Sequence, residues 1–216
     1  MSVELVFIHG WGFDANFWNP LAALLPQFRQ SRADLGFFGA PAEDIKSKTG
    51  TRVLIGHSLG FLHGLRSQRD WDGWIAINGF LRFASSTRNG CVVPQSLRAM
   101  RVALQSDPAK ARRDFYQLIG AQPAIAGAPD LARLTAGLDE LRDLDGNDIL
   151  SSLDIPGLAL AGRLDPLVPP AVSEELGQKA QGGGLAVHDE AGHLLPETEP
   201  SWCARLISQF VATYFD

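Results

Sequence analysis

The chain has 216 residues, 45% hydrophobic and 20% charged, a balance that excludes intrinsic disorder and lets a chain of this length close one sizeable core as a single domain. A net charge of −5 speaks against a nucleic-acid binder, which needs a basic face to neutralise phosphates. Cys91 and Cys203 are too few for a disulfide scaffold and lack metal-ligand spacing, so a reducing compartment is expected.

The opening segment, Met-Ser-Val-Glu-Leu-Val-Phe-Ile-His-Gly, lacks the basic region, long apolar stretch and cleavage site of a secretory leader. No run reaches the ~18 apolar residues that span a bilayer, so a cytoplasmic protein without a membrane segment is expected. Val3–Ile8 reads as a strand and Phe17–Leu25 as a helix, with Asp34 a strand-end loop residue and room for one turn at Ala42–Ser47. Val53–Gly56 is a strand, Leu59–Arg69 a helix and Trp74–Asn78 a strand. From 94 to 152 the pattern is helical, at Leu97–Leu104, Ala109–Ile119 and Leu131–Leu144. Then come the strand Leu158–Gly162, the helix Ala171–Ala180, the strand Leu185–His188 and the helix Trp202–Phe215. Short, nearly continuous apolar strands alternating with helices imply an α/β fold with a mostly parallel sheet covered on both faces. Residues 94–152 form a helical lid subdomain, inserted where such sheets bind ligands.

Gly56-His57-Ser58-Leu59-Gly60 is a G-x-S-x-G pentapeptide between a strand and a helix, the setting of a nucleophile elbow. A serine hydroxyl needs a base to take its proton and a carboxylate to orient that base. Asp165 and His193 each follow an apolar strand, and the chain order is Ser, Asp, His. Singly they read as a turn serine, a turn aspartate before Pro166 and a surface imidazole; together they read as a triad, whose hydrolytic chemistry calls for no metal and no organic cofactor. Attack on a carbonyl creates an oxyanion that needs preorganised N–H donors. The amide of Leu59 and that of Trp11, in His9-Gly10-Trp11-Gly12, are the candidates, and Trp11 and Phe115 are candidate pocket walls. His57, His63 and His188 read as structural, and the cysteines as small apolar residues.

These residues resemble the α/β-hydrolase superfamily over nearly the whole chain: H-G-W-G (9–12), D-L-G-F-F-G (34–39), G-H-S-L-G (56–60), G-R-L-D (162–165) and A-G-H (191–193). Within it the chain is similar to the pimeloyl-acyl-carrier-protein methyl ester esterases of biotin synthesis. That likeness rests on H-G-W-G with Phe17-Trp18, and on Gly137-Leu138-x-x-Leu141 leading through Ile155-Pro156 to Gly162–Pro169. The resemblance implies a serine carboxylesterase acting on a carrier-bound acyl ester, with lid arginines facing an acidic acyl carrier protein. Arg98, Arg101, Lys110, Arg112 and Arg113, against only Asp107 and Asp114, are the residues that would form such a patch. A generic short-chain carboxylesterase, a lyase resembling menaquinone-pathway enzymes with the same triad, and a receptor with a vestigial site remain alternatives.

Phe61, where many relatives place a second small residue, and Gly36, where they usually have proline, depart from the family pattern and are expected to reshape the pocket floor or the helix approach. The two antiparallel strands that usually precede His-Gly are missing. A sheet of about six strands is therefore expected, with an exposed first strand open to covering by a second copy of the chain.

Overall fold

The computed structural model describes residues 3–42, 50–67, 70–86, 90–122, 125 and 127–215. In chain order the elements are β1 (Val3–Ile8), a 3-10 turn (Ala15–Trp18), α1 (Asn19–Ala22), β2 (Arg29–Ala33), β3 (Thr51–His57), α2 (Leu59–Ser67) and β4 (Gly73–Ile77). Four helices follow, α3 (Pro94–Ser106), α4 (Pro108–Ile119), α5 (Leu131–Asp143) and α6 (Asn147–Ser151). The chain then returns to β5 (Pro156–Gly162), α7 (Pro170–Lys179), β6 (Gln181–His188), α8 (Leu195–Thr198) and α9 (Pro200–Tyr214). The six strands lie in the order β2-β1-β3-β4-β5-β6, and each neighbouring pair is parallel.

Side chains alternate across the sheet, so one apolar strand feeds two cores. Val6, Ile8, Leu54 and Ala76 join α2, α7 and the α3–α6 insertion on one face. Leu5, Phe7, Ile55, Ile77 and Leu160 meet α1 and α9 on the other. Because both faces are covered, the central strands are apolar throughout, which is why they stand out in the sequence.

The expected exposed first strand is wrong. β1 is an interior strand, paired with β3 on one side and β2 on the other. The edge belongs to β2, whose Arg29-Gln30-Ser31-Arg32 has no apolar alternation. Its side chains serve local hydrogen bonds instead: Ser31 Oγ donates to Glu4 at 2.5 Å, and Gln30 Nε2 donates to the carbonyls of Ala22 and Leu25 at 3.0 and 2.8 Å. A polar, charged edge resists strand addition, so the basis for a second copy covering this edge falls away. The helix expected at Phe17–Leu25 is a 3-10 turn passing into the single-turn α1. The turn expected at Ala42–Ser47 lies outside the described residues except for Ala42, which pairs with Asp34 in an antiparallel bridge.

Candidate active site

Ser58 sits between β3 and α2 with φ of 52°, the left-handed region that costs a residue with a Cβ about 1 kcal/mol or more. Its flanking glycines are required by crowding. A Cβ on Gly56 would stand 2.2 Å from Phe61 Cα, and one on Gly60 would stand 2.1 Å from the Ile8 carbonyl oxygen. The N-terminus of α2 therefore presses directly on the end of β1, which brings Leu59 and the His9–Gly12 loop together.

The Asp165 and His193 loops leave the neighbouring strands β5 and β6. His193 Nδ1–H donates to Asp165 Oδ2 at 2.7 Å, with both side chains almost fully buried. The other carboxylate oxygen accepts the backbone N–H groups of Leu167 and Val168 at 2.7 and 3.0 Å. With its proton on Nδ1, the imidazole leaves Nε2 as an acceptor, and His193 and Ser58 line the same cavity. Asp165, His193 and Ser58, far apart in sequence, are thus brought to the carboxyl edge of one sheet.

Two further residues hold the His193 loop, and neither was assigned such a part from the sequence. Asn78, buried at the end of β4 with φ of 46°, donates from Nδ2 to the carbonyls of Gly192 and His193 at 2.9 and 2.8 Å. Its Oδ1 accepts the Gly162 N–H at 2.9 Å, so one amide ties the Asp165 loop to the His193 loop. A residue in Asn-Gly at a strand end was the available signal, since asparagine tolerates this backbone region. His57, read as structural, is fully buried and donates from Nε2 to the same His193 carbonyl at 2.9 Å. The other two histidines pair with acids, His63 with Glu140 of α5 at 3.1 Å and His188 with Glu199 at 3.5 Å.

Burial, followed by the nearby His193 ring, pushes the His57 pKa well below its ordinary 6.5. Its folded pKa is depressed, so its contribution to stability is complete above 6.5 and is lost as pH falls toward the folded value. Urea unfolding between pH 5 and 7 should show an acid loss that His57→Gln flattens by up to about 1.4 kcal/mol per pH unit, one proton's worth. An identical acid limb in the variant contradicts this.

The cavity above Ser58 has a volume of about 310 Å³. Its floor is Gly10, Trp11 and His57, and its walls come from α3 (Leu97, Met100), α4 (Ala111, Phe115, Leu118) and α5 (Leu138, Leu141). Trp11 and Phe115 meet edge to face with centroids 4.9 Å apart, so both expected wall residues are in place. Phe61 does not line this cavity; it is buried beneath the elbow, 5.3 Å from the Trp74 ring, and acts on core packing. Gly36 has φ of +75°, which proline cannot adopt. The neighbouring Asp34 carboxylate accepts from the Ala15 and Gly36 N–H groups. Burial opposes its ionisation, but these bonds and His9 outweigh it and bring its pKa to about 2.

The expected basic patch is only partly assembled. Arg101 pairs with Asp139 of α5 at 3.5 Å, and Lys110 pairs with Asp114 at 2.5 Å. Asp143 is held below its usual range first by the Arg142 hydrogen bond, with Arg98 contributing. Arg112 lies over the Phe38 ring at 5.5 Å and, with Arg113, lines a second groove on α4 beside Tyr116. Arg112 and Arg113 are the patch residues that share an open groove. No helix among the described residues is long and apolar enough to cross a membrane.

No family model matches the chain. A pimeloyl-[acyl-carrier protein] methyl ester esterase from Methylococcus capsulatus is 31% identical over 97% of this chain and 95% of that protein. One of the same name from Vibrio vulnificus is 28% identical, over 95% and 93%. Among solved structures, an esterase from Exiguobacterium antarcticum superposes with a TM-score of 0.83 at 16% identity, covering 98% of this chain and 92% of that one; it shares the α/β-hydrolase architecture.

Proposed function

Because the chain belongs to the pimeloyl-[acyl-carrier protein] methyl ester esterase family, we propose that it is a serine carboxylesterase that removes the methyl ester from a pimeloyl chain borne by an acyl carrier protein, in biotin synthesis. The observation that carries the chemistry is the buried Asp165–His193 hydrogen bond beside Ser58 at one cavity.

Ser58 Oγ attacks the ester carbonyl as His193 Nε2 takes its proton, and Asp165 stabilises the imidazolium. The oxyanion is held by the N–H groups of Trp11 and Leu59, the latter at the positive end of α2. His193 then gives the proton to the departing methoxide, and methanol leaves. A water deprotonated by His193 attacks the acyl-enzyme, freeing the carboxylate and restoring Ser58.

The α3–α6 insertion acts as a lid that walls the acyl chain. Aliphatic and aromatic walls favour a neutral methylene chain, each buried CH₂ contributing about 0.8 kcal/mol. They disfavour the carboxylate product, which promotes its release. Arg112 and Arg113 are the candidate steering cations for an acidic carrier, acting on association rate more than on affinity.

The test is turnover of pimeloyl-acyl-carrier-protein methyl ester by the purified protein, followed as methanol release. Methanol together with free pimeloyl carrier protein is expected; no ester turnover, or pyruvate from a lyase substrate, overturns the reading. Growth of a biotin-requiring strain that lacks its demethylating esterase supports the specific role. No growth despite ester hydrolysis reduces the assignment to a generic carboxylesterase.

A further inference from the structure

The loop that carries Trp11 is held from two sides by the lid. From α4, the Tyr116 hydroxyl donates to the Gly12 carbonyl at 2.5 Å. On the other side, the Trp11 indole Nε1–H donates to the Leu134 carbonyl of α5 at 2.8 Å. Gly12 has φ of +77°, so the loop makes a left-handed bend whose carbonyl direction the tyrosine fixes.

Gly137 belongs to the Gly-Leu-x-x-Leu stretch and lies well inside α5, where glycine costs about 1 kcal/mol relative to alanine. Its use is steric, because a Cβ there would stand 2.7 Å from Trp11 Cδ1. Without one, the helix closes on the indole and brings the Leu134 carbonyl within reach. Burial raises the Tyr116 pKa to about 12, so the hydroxyl keeps its proton and stays a donor across the working range.

We infer that Tyr116 and Gly137 are positioning residues that make the lid hold the oxyanion loop, so that seating of the lid sets the placement of the Trp11 amide during turnover. This rests on the proposed serine-esterase reading, in which that amide receives the oxyanion. Neither residue touches the reacting atoms. Their influence is on the transition state, because displacing a donor by a fraction of an ångström weakens its bond to a developing oxyanion more than its bond to a ground-state carbonyl oxygen.

The probe is p-nitrophenyl acetate, whose acyl group is too short to depend on the cavity walls, assayed with enzyme whose active sites are counted by fluorophosphonate labelling. Tyr116→Phe should lower kcat about 3- to 10-fold, the size of one net hydrogen bond, with KM changed by less than about twofold. Gly137→Ala should also lower kcat even though alanine favours the helix. In both variants a trifluoromethyl ketone, which forms a tetrahedral oxyanion on Ser58, should weaken in proportion to kcat. A role limited to packing would move the melting midpoint or KM and leave that proportionality absent. Wild-type kcat in either variant overturns the inference, as does a loss confined to KM. If the parent protein shows no Ser58-dependent hydrolysis, the esterase reading itself fails. Ser58-dependent hydrolysis with unchanged kcat in Tyr116→Phe removes the lid's positioning role alone.

Discussion

Ser58→Ala lowers kcat for ester hydrolysis by about a millionfold with the fold intact, because nucleophile and base act as one unit and removing either removes both. Circular dichroism and the melting midpoint should match the parent, since alanine keeps the Cβ and the backbone strain with it. Ser58→Gly separates the strain from the chemistry. It is equally inactive, but it relieves the φ of 52°, and a gain of about 1 kcal/mol raises the midpoint by about 2–4 °C at this chain length. Retained hydrolysis in either variant removes Ser58 from the mechanism. Equal midpoints for the alanine and glycine forms would show that the elbow stores no strain.

Asn78→Ala is expected to cost about 3 kcal/mol, because a buried N–H and a carbonyl lose their partner in one step. The Gly162 N–H and the Gly192 carbonyl lose a hydrogen bond, and the His193 carbonyl keeps only His57. The loss of activity should exceed what unfolding explains. The strand-end amide sets the path of both the Asp165 and His193 loops, and misplacing a base by about 1 Å costs on the order of 100-fold. Asn78→Asp should be worse than Asn78→Ala, since a carboxylate still accepts from Gly162 but faces two carbonyl oxygens with no proton to offer them. Measured well below its melting temperature, an Asn78→Ala enzyme with wild-type kcat contradicts this account, and so does an aspartate variant more active than the alanine one.

Strands buried on both faces announce themselves as apolar runs, which made β1, β3, β4 and β5 legible from the sequence. β2 was hidden because an edge strand has no second neighbour to impose apolarity, and its side chains hydrogen-bond α1 and β1 instead. The start of β6 was hidden by Gly182-Gly183-Gly184, which reads as a break; there the strand pairing with β5 carries a register irregularity. An exposed β1 was expected, but strand order depends on where the crossover through α1 returns, and it returns outside β1.

At the site, Ser58, Asp165 and His193 could be singled out as candidates because each follows directly on a legible apolar strand, and the structure brings them to one edge of the sheet. Asn78 and Tyr116 act through residues more than 80 positions away, and no periodicity records such a relation. Pairing within the basic patch was hidden for a related reason. Counting charge from Arg98 to Asp114 leaves out Asp139, which another helix brings to Arg101.

In the proposed mechanism, reacting groups and acyl-chain walls come from separate stretches of the chain: the proposed triad from turns at strand ends, the cavity walls chiefly from the insertion between β4 and β5. Such a division makes the enzyme open to grafting. An insertion from a relative with a different cavity would be inherited or engineered as one cassette, changing chain-length preference without altering the triad. The seam sets the terms of the exchange. A donor insertion must present a hydroxyl to the Gly12 carbonyl and leave a gap opposite the Trp11 indole. Chimeras that respect those two positions should inherit a new specificity at undiminished turnover, and those that break them should bind the new substrate yet process it slowly.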